Sequence, residues 1–149
     1  MEKLSVIATS PLFEMLAPTE LAHLAELARV HRYAPGDTVF EEGALGDSLF
    51  VIIHGEVEVV RRGPRDAAVH SLCVLGPTDF FGEMGLIDQE HRSATVRARS
   101  AAELLQLTAQ DLRAFRRAHG DGFTYVVVNI ARRLSARLRE ANARLVSRE

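Results

Sequence analysis

The chain has 149 residues, of which 47% are hydrophobic and 26% are charged, and its formal net charge is −2. This length fits one domain, or at most two small ones, and the composition excludes an intrinsically disordered chain. The one cysteine, Cys73, excludes a disulfide framework and a four-cysteine zinc or iron–sulfur site. The longest hydrophobic run, 49–53, falls far short of the roughly 20 residues that cross a membrane, and the N-terminus lacks a secretion signal. We therefore expect a cytoplasmic protein, and the balanced charge argues against a dedicated nucleic-acid binder.

Helices are predicted at the start of the chain, over about 10–30. Ser10 followed by Pro11 fits an N-cap with proline at the first helical position. From 31 to 107, short hydrophobic runs alternate with glycine and proline turns at a spacing of roughly 8–12 residues, which is typical of a β-sandwich or barrel. The predicted strands are 38–40, 49–53, 57–60, 69–75, 94–98 and 104–107.

Two further helices are predicted over about 109–147, with Thr108 as the N-cap of the first. The last helix carries one hydrophobic stripe at near-heptad spacing, which predicts a dimer seam, a lid on the barrel, or both, with the dimer favoured. The stripe consists of Phe123, Val127, Ile130, Leu134, Leu138, Ala141 and Leu145. The whole chain, 1–149, is thus predicted to form a single domain, mainly β with flanking α.

The most informative segment is 79–98, where residues alternate strictly after Ser93. The small hydrophobic residues of this alternation face the core, and Arg92 shares their parity. A guanidinium aimed into a barrel needs a compensating anion, because an unpaired buried charge is very costly. The partner is either the carboxylate of Glu83 or a bound anion, most plausibly a phosphate, which suits the planar arginine fork.

The start of the same segment favours the phosphate. Gly82 and Gly85 allow the backbone to approach a ligand closely, and the free N–H groups of a helical turn over 81–87 attract an anion. Glu83 would repel a phosphate unless it accepts a hydrogen bond from an adjacent group such as a sugar hydroxyl. Together with Arg92, the turn predicts a compact phosphate cradle.

This segment, Phe81-Gly82-Glu83-Met84-Gly85-Leu86, a loop over 87–91 and then Arg92-Ser93-Ala94, resembles the phosphate-binding cassette of cyclic-nucleotide-binding domains. A second family hallmark is the glycine–acid corner before a hydrophobic strand and a glycine, which extends here from Gly46-Asp47 to Val57. Such domains occur in catabolite-activator transcription factors, cyclic-nucleotide-dependent kinases and cyclic-nucleotide-gated channels. The resemblance covers essentially the whole chain. It implies an eight-stranded β-roll (a jelly-roll-like barrel) with N-terminal helices and two C-terminal helices.

The resemblance also implies a ligand and its contacts. Arg92 pairs with the cyclic phosphate, Ser93 and the backbone of the 82–85 turn (Gly82, Glu83, Met84, Gly85) donate to it, and the Glu83 side chain accepts from the ribose 2′-hydroxyl. The base meets the roll, where Val59, Cys73 and Leu75 are the candidates by position, and a residue of the last helix. There Arg137 departs from the catabolite-activator pattern, which has a threonine: it either stacks on or donates to the purine, or it is a solvated arginine of an arginine-rich helix. The catabolite-activator pattern favours cAMP over cGMP, although the Ser93 hydroxyl can equally reach a guanine amino group. The expected role is that of a sensor module, in which phosphate capture is coupled to rearrangement of the C-terminal helix.

Two alternatives remain open at this point. A ligand-free scaffold or dimerisation domain of the same fold would let Glu83 and Arg92 pair with each other. A metal-dependent barrel enzyme would need clustered histidines, and the six present show neither His-x-His nor His-x-x-x-His spacing. No nucleophile has an evident base, so we expect neither an enzyme nor a metal. We likewise expect no membrane contact and no direct DNA binding, since no helix-turn-helix follows the last helix before Glu149; the effector stays unidentified.

Overall fold

The computed structural model describes residues 2–63, 69–85 and 91–147. Helix α1 (Glu2–Thr9), a 3-10 helix (Pro11–Phe13) and α2 (Pro18–Leu27) come first. The strands are β1 (Arg29–Tyr33), β2 (Thr38–Phe40), β3 (Ser48–His54), β4 (Val57–Arg62), β5 (Val69–Leu75), β6 (Phe80–Phe81), β7 (Thr95–Ala98) and β8 (Ala102–Thr108). Helices α3 (Ala109–Ala118) and α4 (Gly120–Ser147) complete the described elements.

Eight strands with helices on either side confirm the predicted fold class, with corrections at three elements. Helix α1 was not predicted, because it buries only Val6 and Ile7 and so shows a narrow hydrophobic stripe. Strand β1 begins at Arg29, inside the stretch predicted to be helical. It was missed because its mostly exposed, basic sequence carries no strand pattern, and only its pairing with β8 defines it as a strand. The two-residue strand β6 is too short to show a period.

The strands form two antiparallel four-stranded sheets, ordered β1-β8-β3-β6 and β2-β7-β4-β5. Strand β3 is buried on both of its faces. Leu49, Val51 and Ile53 pack against the helices, whereas Phe50 and Ile52 face the interior of the roll. Burial on both sides explains the continuous hydrophobic run at 49–53, since a strand with one wet face alternates instead.

The helices cover the outer face of the first sheet. Thr108 caps α3, and its hydroxyl accepts from the Asp111 N–H while the Asp111 carboxylate accepts from the Thr108 N–H. The first half of α4 is fixed to the N-terminal helices because the buried Asn129 amide donates to the Leu12 and Glu14 carbonyls at 3.0 Å each. No helix in the described ranges has the length and hydrophobicity to span a membrane.

The predicted single stripe of α4 divides between two faces. Phe123 and Ile130 pack into the core, next to the buried Val126 that the stripe omitted. Leu138 and Leu145 are each 62% exposed. The helix is therefore docked along its first half and presents hydrophobic side chains to solvent along its second half.

Candidate functional site

A cavity of about 310 Å³ opens between the second sheet, the 82–85 turn and α4. Every site residue predicted from the sequence lines it: Val59, Cys73, Leu75, Gly82, Glu83, Met84, Gly85, Arg92, Ser93 and Arg137. The structure adds Phe40, Leu72 and Val96 to the lining, together with Phe81, His91 and Ala94, which belong to the cassette motif but had no predicted contact. The phosphate side and the base side of the predicted site thus belong to one cavity.

Arg92 is 8% exposed, as its inward parity predicts. Its Nη1 donates to the Gly82 carbonyl at 3.0 Å and its Nη2 to the Ser48 carbonyl at 2.8 Å. The guanidinium lies 4.0 Å from the centre of the Phe40 ring, within cation–π distance. Its main chain is fixed as well, because the Arg92 N–H donates to the Ala44 carbonyl at 2.7 Å. The arginine is therefore placed before any ligand arrives.

The charge of Arg92 is incompletely compensated. Its Nε is buried and has no hydrogen-bond partner within the described residues. Burial lowers the pKa of Arg92, while attraction to Asp47 and then Glu83 opposes that effect. Arginine stays protonated in proteins even so. Arg92 is among the residues that line the cavity, so an anion bound there would lie next to this charge.

Two glycines make room for this guanidinium. A Cβ built on Gly46 would lie 2.6 Å from the Arg92 Nε and 2.7 Å from its Cζ. Gly82 has φ +87°, a conformation that favours glycine, and a Cβ there would lie 2.9 Å from the Ser48 carbonyl oxygen. The glycines of both sequence motifs therefore border the same arginine.

Glu83 is 2% exposed and lies between two arginines. Its Oε1 is 3.4 Å from Nη1 of Arg137, which reaches it from α4. One helical turn earlier, Arg133 lies 3.8 Å from Asp79 in a second ion pair between α4 and the roll. The Glu83–Arg92 ion pair expected of a ligand-free scaffold is not formed within the described residues, where Arg92 donates to carbonyl oxygens instead.

Much of the rest of the cavity wall is hydrophobic. Phe40, Phe50 and Phe81 form a ring cluster, with Phe50 and Phe81 stacked at 5.3 Å between centroids. Val59 lies opposite Cys73 across the β4–β5 pair. Partial burial raises the pKa of the Cys73 thiol, although Arg137 and Arg133 oppose the effect, so the neutral thiol belongs to this apolar wall. The cavity combines one placed cation with a surface suited to a flat apolar group.

Two sequence expectations receive a partial answer. The helical turn predicted over 81–87 is wrong at its start, because Phe81 ends strand β6 and Gly82 has φ +87°. Met84 and Gly85 are helical, and residues 86–90 of the turn and loop lie outside the described residues. Across the described part of the chain, no three histidine, cysteine, aspartate or glutamate side chains lie close enough to hold a metal ion. Phe40 and Ser48 were missed because their roles depend on contacts between distant strands.

A buried arginine over a glycine-bordered turn, inside a β-roll closed by a helix, is an arrangement suited to a small anion. The cyclic nucleotide-binding domain family model matches residues 30–119, so the chain belongs to that family. It is 36% identical to the cyclic AMP receptor protein of Thermus thermophilus over 138 residues, 91% of this chain and 61% of that protein. It is also 36% identical to a cyclic nucleotide-gated potassium channel of Mesorhizobium japonicum over 106 residues, 71% of this chain and 28% of the channel.

A solved structure shows the same fold. The N-terminal domain of a transcriptional regulator from Streptomyces coelicolor superposes with a TM-score of 0.78 at 34% identity, covering 94% of each chain. Against the two curated proteins, by contrast, this chain spans less than two thirds of their length. The shared part is thus a domain that occurs in proteins with different outputs.

We predict that Gly46→Ala destabilises the protein by about 1–3 kcal/mol, the usual cost of an added methyl group in a packed site. The new Cβ displaces the Arg92 guanidinium from its carbonyl acceptors. Urea unfolding measures the change. Gly76→Ala is the matched control, because a Cβ at Gly76 meets nothing within 4 Å; its stability stays equal to wild type or rises slightly. Equal stabilities for Gly46→Ala and wild type would show that Arg92 is not held against this glycine.

Proposed function

We propose that this domain binds a cyclic mononucleotide, cAMP in preference to cGMP, and acts as a sensor module without catalysing a reaction. The observation that carries the proposal is the buried, positively charged Arg92 among the residues that line the cavity. A cyclic phosphodiester has one negative charge, which a single arginine neutralises. Ser93 and the backbone N–H groups of the 82–85 turn border the same end of the cavity and supply donors to the phosphate.

The ribose and the base occupy the rest of the cavity. Glu83 is a buried acceptor at the turn and takes the ribose 2′-hydroxyl. The purine lies against the wall formed by Val59, Cys73 and Leu75, with Arg137 above it. An arginine packs well on an aromatic face. Similarity to a protein named for cyclic AMP supports the preference for that nucleotide.

Ligand binding is coupled to α4 through the exchange of one partner of Glu83. Glu83 lies against Arg137 of α4. When the ribose 2′-hydroxyl donates a hydrogen bond to this carboxylate, Arg137 separates from Glu83 and moves to the base. The ion pair of Arg133 with Asp79 keeps the helix near the roll meanwhile. The nucleotide thereby replaces a contact that holds α4, which shifts the population between two positions of the helix.

The exposed face of α4 from Val127 onward is proposed to pair with α4 of a second copy. Its exposed and half-exposed small and hydrophobic side chains follow steps of four and three: Val127, Ala131, Leu134, Leu138, Ala141 and Leu145. Steps of this kind are those of a two-stranded coiled coil. The Arg137 side chain lies beside this seam, so the dimer contact and the nucleotide site are neighbours on one helix.

Calorimetry tests the ligand. We expect wild type to bind cAMP more tightly than cGMP, and Arg92→Ala to lose about 2–5 kcal/mol of binding free energy because the phosphate charge is left unpaired. Arg97→Ala is the control, since Arg97 pairs with Glu58 outside the cavity. The 2′-deoxy analogue loses about 1.5–3 kcal/mol, the value of a hydrogen bond to a charged group. No binding by wild type at millimolar nucleotide, or an unchanged affinity in Arg92→Ala, would favour the ligand-free scaffold.

Hydrogen exchange tests the coupling to α4. Cyclic AMP is expected to change amide exchange in the second half of α4 in wild type. Arg137→Met removes the guanidinium but keeps a long apolar stem, so the free protein has already lost the contact that the ligand replaces. The ligand-dependent difference is therefore largely abolished in this variant. Arg132→Met, at an exposed position of the same helix, keeps the wild-type response. An equal response in both variants would contradict the exchange at Glu83.

Sedimentation tests the dimer. Wild type is expected to sediment as a dimer and Leu138→Glu as a monomer, because a carboxylate replaces a side chain at the centre of the apolar seam. Arg139→Glu introduces the same charge one residue away and stays dimeric. A monomeric wild type at micromolar concentrations, or a dimeric Leu138→Glu, would refute pairing through α4.

A further inference from the structure

Three polar side chains lie on the interior face of the roll, where hydrophobic residues are expected. Gln106 of β8 lies opposite Phe50, and His31 of β1 lies opposite Leu104, so both have the parity of the interior core. Ser48, at the start of β3, shares the parity of Phe50 and is 1% exposed. A polar group in such a position needs hydrogen-bond partners to be tolerated.

These side chains form one continuous hydrogen-bonded chain. The His31 Nε2 lies 2.6 Å from the Gln106 Oε1. The Gln106 Nε2 donates to the Ser48 hydroxyl at 2.8 Å. That hydroxyl donates in turn to the Asp47 Oδ1 at 2.9 Å. The chain therefore runs from a half-buried histidine on β1 across two strands to an exposed carboxylate at the corner before β3.

The direction of the chain follows from its last member. An ionised carboxylate only accepts hydrogen bonds, so the Ser48 hydroxyl must be the donor in its hydrogen bond with Asp47. The hydroxyl then receives a hydrogen from the Gln106 amide, which turns the amide oxygen toward His31. The imidazole must consequently carry its proton on Nε2. The Ser48 hydroxyl, the Gln106 amide and the His31 ring thus each have one hydrogen-bonding orientation, which is set by the neighbouring group on the Asp47 side.

Ser48 and Asp47 are also the groups that support Arg92. The Ser48 carbonyl accepts from the Arg92 Nη2 at 2.8 Å. The Asp47 carboxylate attracts the buried guanidinium from the other side of the corner. The side chain of Ser48 thus fixes one counter-charge of Arg92, while its main chain holds the guanidinium directly.

We propose that His31 and Gln106 are positioning residues of the anion site, which act on Arg92 through Ser48 and Asp47. Neither lines the cavity. They set the affinity for the nucleotide by holding the corner that orients the arginine. The nucleotide readout of this proposal rests on the proposed function, whereas the spectroscopic readouts below use the free protein.

The first test is the tautomer of His31, measured by ¹⁵N NMR of the imidazole in the free protein at a pH where the ring is neutral. The chain requires the proton on Nε2. A proton on Nδ1 in wild type would overturn the proposal, because the glutamine would then have to face the opposite way.

The second test follows the Nε–H resonance of Arg92, together with the affinity for cAMP. His31→Phe and Gln106→Leu remove the donors, so both are expected to shift this resonance and to weaken binding about threefold to tenfold, the net value of one hydrogen bond. His31→Gln places an amide donor at a similar reach and restores both. Gln110→Leu, at an exposed position of α3, is the matched control and leaves both unchanged.

The outcomes separate the two proposals. A shifted Arg92 resonance in a protein that binds no cyclic nucleotide supports the hydrogen-bonded chain from His31 to Asp47 and refutes the proposed nucleotide binding. If Gln106→Leu and Gln110→Leu have the same Arg92 resonance and the same cAMP affinity, the role of the hydrogen-bonded chain is refuted, while the proposed nucleotide binding stands. If Gln106→Leu does not fold, His31→Phe, which keeps a ring of similar size, decides between them. Failure of His31→Gln to restore either readout would reduce the role of His31 to filling space and overturn the proposal.

Discussion

The burial of one positive charge, that of Arg92, determines how the rest of the site is built. A guanidinium that is 8% exposed is tolerated only with nearby acceptors and counter-charges. The roll supplies them from three parts of the chain: the Asp47 carboxylate and the Ser48 carbonyl where β3 begins, the Gly82 carbonyl of the 82–85 turn, and the Phe40 ring of β2. Because these groups are far apart in the chain, the arginine is correctly placed only when the roll has closed. The anion site and the folded roll are in this sense one structure.

The second buried charge, Glu83, ties that site to the only long helix of the described residues. A carboxylate without solvent needs a partner in the free protein, and α4 provides Arg137. The helix is firmly fixed where Asn129 joins it to the N-terminal segment and carries exposed hydrophobic side chains further along. This gradient along a single helix suits an element whose far end changes position. The family includes receptors and channels, and a movable terminal helix can serve outputs of either kind.

Local patterns allowed most of the fold and the site to be predicted from the sequence. Alternation placed Arg92 inward, glycines marked the turn, and Thr108 marked a helix start, since each depends on neighbouring residues only. Strand β1 and the contact of Phe40 with Arg92 were missed because they depend on pairing between distant segments. The hydrophobic stripe of α4 was predicted as one face and proved to be two. Periodicity shows how hydrophobic residues are spaced along a helix, but it does not show which of them pack against the rest of the domain. Gln106 gave no signal at all, since its significance depends on Ser48 and His31 across two strand pairings.

Strand β3 divides its side chains between two different environments, and this has a consequence for variation in the chain. Leu49, Val51 and Ile53 belong to the core under the helices, whereas Phe50 and Ile52 belong to the interior of the roll, and Ser48 has their parity and contacts the arginine. Conservative changes at odd positions therefore alter how strongly the helices attach, and changes at even positions alter the ligand side. Inserting or deleting one residue would exchange the two sets in a single step. The length of this strand is accordingly constrained from both of its faces.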